Sequence, residues 1–204
     1  QYGALLPHFH LKALTNQHAM SQFFQINKDI FFRTLCLIAV TTYFTSAGAK
    51  QGDIILAVNT LLMQLFTIFS YFMDGFAYAG EALTGKHIGA KQTDELRKMI
   101  ERLFRWGFGV AIAFTLIYAL SGVQFLQLLT NEQSVIQASK EYFFWAILIP
   151  ITGYSAFLMD GIFIGATRTR YMLWGMLAAS FAFFTCSIGL KDTGNHALWA
   201  AFII

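Results

Sequence analysis

Two aspartates stand inside long apolar stretches of the sequence: Asp74 within residues 54–80 and Asp160 within residues 142–166. A carboxylate at the centre of a membrane-crossing helix costs about 2.5–3.5 kcal/mol on insertion scales, so it needs a partner, a proton or a task. The chemistry open to it is an ion or proton site, or the counter-charge for a cationic substrate. The alternative is a structural aspartate held by hydroxyls and helix ends. Asp160 lies eight residues before Arg168, about 12 Å along a helix, and Asp74 lies at a similar depth measured from Thr84. Both therefore fall in the half of the membrane nearer the basic end.

Polar residues accompany them at helical spacing. Thr60, Thr67, Asp74 and Glu81 recur every seven residues, with Gln64, Ser70 and Tyr78 in the intervening turns. On a helix this makes one continuous stripe, which must face other helices or a wet cavity. Thr34, Thr41, Thr45 and Gly48 form a weaker version in the first apolar run, and Gly153, Asp160 and Thr167 share a face in the fourth. The candidate ion and substrate pathway is therefore Asp160, Asp74, Gln64, Thr67 and Thr41. Threonine hydroxyls also bond back to their own helix, so the threonines alone carry no function. Met73-Asp74-Gly75-Phe76 is echoed by Met159-Asp160-Gly161-Ile162. Gly161 and Gly165, like Gly75 and Ala79, have the four-residue spacing that lets helices approach closely. Glu81 reads as an anchor for the loop that carries Lys86 and Lys91.

The elements that must position these residues follow from composition. Of 204 residues, 56% are hydrophobic and only 12% charged, with a mean hydropathy of +0.54. Soluble domains average about 25% charged residues, so a soluble enzyme and a disordered chain are both excluded. The pattern is an all-α, polytopic transmembrane bundle of five full spans and a truncated sixth. The spans are residues 30–49, 54–80, a charged start from Thr93 running to 129, 142–166 with a bend expected at Pro150, and 171–190, with the sixth beginning near Asn195. Glu101 and Arg105, one turn apart, are placed to pair. Eleven of the 14 lysines and arginines, Arg33 among them, fall on one side, and Lys50, Lys140 and Lys191 on the other. Such a bias marks the richer side as cytoplasmic, with Trp106 and Trp174 near that interface. The basic run is a topology signal in contact with lipid headgroups, with no nucleic acid partner. His8, His10 and His18 are scattered in the first polar stretch, and Cys36 and Cys186 lie in separate spans. No metal site, cofactor, catalytic set or phosphate-binding loop is implied.

The run Phe72-Met-Asp-Gly-Phe-Ala-Tyr-Ala-Gly-Glu-Ala-Leu-Thr-Gly-Lys-His-Ile-Gly-Ala-Lys91, with Glu81, Gly85 and Gly89 at its motif positions, resembles the multidrug and toxic compound extrusion (MATE) family. More narrowly it resembles the DinF-like branch, as does Met159-Asp-Gly-Ile-Phe-Ile-Gly-Ala-Thr-Arg168. The resemblance implies that residues 29–204 are the C-terminal lobe, half of a twelve-helix transporter, and residues 1–28 the cytoplasmic link from a missing N-terminal lobe. It implies an antiporter in the inner (plasma) membrane that exchanges protons or sodium ions for small organic cations and amphipathic compounds. The sodium-linked relatives use a glutamate on the seventh helix and an aspartate on the tenth. Residues 30–49, which match the seventh, contain no glutamate, whereas the tenth carries Asp160. Both termini read as the ends of an internal fragment. A lipid-linked sugar flippase and a non-transporting membrane subunit are the competing readings.

Overall fold

The computed structural model describes residues 17–190 and 193–203. The polar stretch that holds Pro7, His8, His10 and Lys12 lies outside the described residues, as does Lys191. Six helices follow one another: α1 Gln17–Ala49, α2 Asp53–Gly89, α3 Thr93–Leu129, α4 Gln133–Gly165, α5 Thr169–Gly189 and α6 Asn195–Ile203. Among the described residues there is no strand. Stretches of the first five helices are long and apolar enough to cross a membrane: Phe23–Ala49, Asp53–Gly89, Thr93–Gly122, Gln133–Gly165 and Thr169–Gly189. The chain is an all-α polytopic bundle. Large apolar side chains such as Leu120 (83% exposed) and Phe181 (75%) point outward, which only a hydrocarbon surround makes favourable over so much surface.

The helices begin and end for local reasons. Gly52 takes a φ of 113° between α1 and α2, a conformation open to glycine at little cost. Two other turns share one design. Gly89-Ala90-Lys91-Gln92-Thr93 and Gly165-Ala166-Thr167-Arg168-Thr169 each put a non-glycine residue at φ 55°, Lys91 in one and Thr167 in the other. In each the next amide reaches back five residues, Gln92 N to His87 O at 2.9 Å and Arg168 N to Phe163 O at 2.8 Å. These bonds satisfy carbonyls that a helix end leaves free. The start of α3 has Asp94 and Glu95 in its first turn and no side-chain cap, so charge on the helix dipole favours it there. Glu101 pairs with Arg97 at 3.2 Å rather than with the expected Arg105, and Glu95 pairs with Lys98 at 2.9 Å. Both alternatives for Glu101 lie one turn away, on opposite sides of it. The expected bend at Pro150 leaves α4 continuous from Gln133 to Gly165. Non-helical backbone falls instead at Gly122 in α3, at φ 29° and ψ −110°.

The core is built around α2. Val58, Leu62, Leu65, Phe69 and Met73 are fully enclosed along one helical face, set at the three- and four-residue steps of a buried stripe. The Tyr118 hydroxyl of α3 donates to Leu65 O at 2.8 Å, which satisfies its one polar atom. Helices α2 and α4 run parallel and touch backbone to backbone. A methyl group at Gly161 would overlap the backbone of Ala77, and one at Gly165 the backbone of Glu81. Gly75 has nothing within 4 Å of such a methyl, and Ala79 is exposed. Within this bundle, therefore, the Gly75–Ala79 pair mediates no close approach, although its spacing matches that of Gly161–Gly165.

This asymmetry makes a prediction. Gly161→Ala has to push two main chains apart and should lower unfolding stability by about 1–3 kcal/mol. Gly75→Ala, on an open face, should stay within about 0.5 kcal/mol of the parent. Thermal unfolding in detergent or nanodiscs measures both, and equal effects would contradict the packing described.

Candidate functional site

The registers of Gly161 on Ala77 and of Gly165 on Glu81 fix the relative heights of the two aspartates. Asp160 stands level with position 76 of α2, two residues from Asp74, or about 3 Å along the axis. The carboxylates therefore meet at one depth. They line the same half-open cavity, of about 520 Å³, formed by α1, α2, α4, α5 and α6. Its walls are apolar, with Leu37, Ile38, Phe66, Phe157, Met176, Phe183 and Phe202 among them. Its polar groups are Arg33, Thr41, Ser70, Asp74, Asp160 and Ser180.

Arg33, expected on the basic side of the membrane, is part of the cavity lining. It lies well inside α1, because that helix begins at Gln17 and not near Ile30. Its guanidinium donates a charge-assisted hydrogen bond to Asp160 Oδ2. The two side chains are 28% and 29% exposed, half-way between a locked interior pair and a solvated one. Asp74 is close enough for its charge to act on Asp160, and among the described residues it is in no ion pair. One guanidinium thus faces two carboxylates in an apolar chamber. Ser180 Oγ, buried and without a hydrogen-bond partner among the described residues, lies on the same wall.

The other candidates separate. Thr41 lines the main cavity and also a smaller one of about 160 Å³, where Gln64 sits with Thr45, Asn59 and Thr60. Thr67 lines neither, and its hydroxyl donates to Met63 O at 2.9 Å. Thr41 and Thr60 also bond back to their own helices. Glu81 is half-buried beside Gly165 and forms no ion pair with Lys86 or Lys91. Gly85 sits 3.5 Å from Gly165 O, measured from an added methyl, and Gly89 has nothing near it. The two Met-Asp-Gly copies do not pack alike: Met73 is buried and Gly75 exposed, whereas Met159 is exposed and Gly161 buried. Only their aspartates share a destination. Among the described residues no group of histidine, cysteine or acidic side chains could hold a metal ion.

Sequence reasoning passed over three further polar groups. Asn59 and Asn195 exchange two hydrogen bonds of 2.8 Å, and Trp199 Nε1 donates to Asn59 Oδ1 at 2.8 Å. All three are buried, and they tie α2 to α6 at the end of the bundle opposite the basic loops. Beside them His196 accepts from Trp145 Nε1 at 3.0 Å. At the other end Asp29, also buried, accepts from Thr169 Oγ1 at 3.0 Å and joins α1 to the start of α5. The one usable signal was polarity itself, since a buried asparagine or aspartate in a span must find a partner.

A membrane bundle enclosing a charged, half-wet cavity defines a class, and sequence comparison places the chain within it. The MatE profile matches residues 30–190, so the chain belongs to the MatE family, whose members are transporters and not enzymes. The chain is 37% identical over 179 residues to DNA damage-inducible protein F of Escherichia coli (strain K12), covering 88% of this chain and 39% of that protein. It is 25% identical over 146 residues to Protein DETOXIFICATION 45, chloroplastic, of Arabidopsis thaliana, covering 71% and 26%. It is 26% identical over 185 residues to Protein DETOXIFICATION 42 of the same plant, covering 87% and 35%. The chain thus spans well under half the length of these relatives. No solved structure matches it significantly.

The asparagine cluster gives a test of the scaffold. Asn59→Leu leaves the Asn195 amide and the Trp199 indole without partners, at about 1–3 kcal/mol for each stranded group. Unfolding should occur at a clearly lower temperature, whereas Thr60→Val on the exposed side should not shift it. Unchanged stability in Asn59→Leu would contradict the clamp.

Proposed function

We propose that this chain is one lobe of a secondary antiporter that exports organic cations or amphipathic compounds in exchange for protons or sodium ions by alternating access. The supporting observation is the cavity's charge balance, in which Asp74 and Asp160 face the single guanidinium of Arg33 among aromatic and aliphatic walls. Such a chamber has an excess of negative charge at low dielectric, where a positive ligand gains most. The apolar walls suit the body of an amphipathic molecule, and Thr41 and Ser70 add polar groups to the lining. A flippase for phosphate-bearing lipid carriers would need the opposite balance of charge. The names of the plant relatives, DETOXIFICATION 45 and 42, agree with export of harmful compounds.

In this reading the polar stripe of α2 faces the cavity and a second lobe of the same protein. Residues 1–28 join the two lobes and residues 29–204 form this one, with the helical part from Gln17 onward continuing into α1. The protein resides in the plasma membrane, the inner membrane of a two-membrane cell, with Thr93 to Lys98 in the cytoplasm.

Two measurements bear on this. Asp74→Asn and Asp160→Asn should each weaken binding of tetraphenylphosphonium, a lipophilic monovalent cation, by about tenfold with little loss of folded protein. Wild-type affinity in both would remove the cavity as the cation site. Single cysteines at Gln92 and Gln133, in a background without Cys36 and Cys186, should be labelled from opposite membrane faces. Labelling of both from one face would overturn the topology.

A further inference from the structure

Arg33 and Asp160 join α1 to α4, two helices with little or no direct packing between them. The ion pair therefore reaches across the cavity and does not seal a helix contact. A guanidinium keeps its charge at any accessible pH, so Asp160 is covered by a cation whether or not a ligand is present. A ligand cation drawn in by Asp74 then competes with that tethered charge. Releasing Arg33 into an apolar chamber would be costly unless another carboxylate received it.

One stands ready. Asp29 precedes Arg33 by four residues on α1, the spacing and order in which an acid and a base on one helix pair best. Asp29 is buried and accepts a hydrogen bond from the hydroxyl of Thr169 at 3.0 Å. It lines a separate space of about 360 Å³ with Arg168, Arg170, Tyr171 and Trp174. Among the described residues Arg33 pairs with Asp160 and not with Asp29. The side chain thus has one acidic partner in the ligand cavity and, one turn back along its own helix, a second carboxylate outside that cavity.

We propose that Arg33 is a tethered counter-ion that covers Asp160 in the empty cavity and moves to Asp29 when a ligand cation takes its place. This rests on the reading that the cavity binds a cation, and it assigns roles to two residues that need not touch the ligand. Arg33 sets the threshold for binding by competing with it. Asp29 is a positioning residue that lowers that threshold by accepting the displaced guanidinium. The exchange keeps Arg33 paired with a carboxylate before and after binding, and it uncouples α1 from α4 when the cavity fills.

The test is a cycle of binding measurements with tetraphenylphosphonium on the full-length, two-lobed protein in nanodiscs. Arg33→Gln removes the competitor and should bind the cation about tenfold more tightly than the parent, whereas Arg33→Lys, which keeps the charge, should bind far less tightly than Arg33→Gln. Asp29→Asn retains an oxygen that can accept from Thr169 and should weaken binding severalfold. In the Arg33→Gln background the same Asp29→Asn change should have no effect, because there is no guanidinium left to receive. Binding by Arg33→Gln no tighter than the parent would overturn the proposal, as would an Asp29→Asn effect that is absent or equal in both backgrounds. If Arg33→Gln does not fold, unchanged affinity in Asp29→Asn alone overturns it. These failures differ from that of the cation site itself, which shows as wild-type binding in Asp74→Asn and Asp160→Asn.

Discussion

Charge placed inside a membrane must be answered by charge, and here the answer is incomplete. Arg33 covers Asp160, and Asp74 beside them has no counter-ion among the described residues. In water this imbalance would be worth little, but in a chamber lined by Phe66, Phe157, Phe183 and Phe202 it is a standing attraction for a cation. The energetic cost of holding Asp74 in the bundle is the same quantity that favours ligand binding.

The rest of the architecture keeps that imbalance in place. Parallel contact of α2 on α4, made possible by Gly161 and Gly165 against the backbones of Ala77 and Glu81, sets the two aspartates at one height. A side chain at either glycine would separate the main chains and move the carboxylates apart. Far from the basic loops, Asn59, Asn195 and Trp199 bind α2 to α6 with all their shared polar atoms buried. Near the basic loops, the α1 to α4 link is the half-wet ion pair. The bundle is thus fastened by neutral, enclosed hydrogen bonds at one end, and nearer the other by the Asp29–Thr169 hydrogen bond and the half-exposed Arg33–Asp160 pair.

Hydropathy alone located the five crossings and the short sixth helix, because apolar length is a one-dimensional property. The aspartates were legible for the same reason, being out of place in their own segments. Arg33 was not, since it stands at the edge of an apolar run and reads there as a flanking cation. Only the fold, by setting it against Asp160, makes it part of the cavity. Glycine spacing was ambiguous in a similar way. Gly161–Gly165 and Gly75–Ala79 have one pattern, yet a neighbouring backbone is present for the first and absent for the second. Asn59 finds Asn195 across 136 residues of chain, and no local pattern encodes such a partner. Ser180 looks like any hydroxyl in a span until the fold leaves it in the cavity wall without a partner.

The central claim is that the cavity's carboxylates are shared between a tethered cation and a mobile one. It can be read directly by magnetic dipolar recoupling between isotope-labelled arginine side-chain nitrogens and aspartate carboxyl carbons, in the protein in bilayers. Among the described residues Arg33–Asp160 is the only arginine–aspartate ion pair, since Arg97 pairs with a glutamate, so the background is low. Without ligand, the signal should show a close arginine–aspartate pair that disappears in Asp160→Asn. With saturating tetraphenylphosphonium, that Asp160-dependent coupling should be lost and a coupling that depends on Asp29 should replace it. An Asp160-dependent coupling unchanged at saturation would contradict the account.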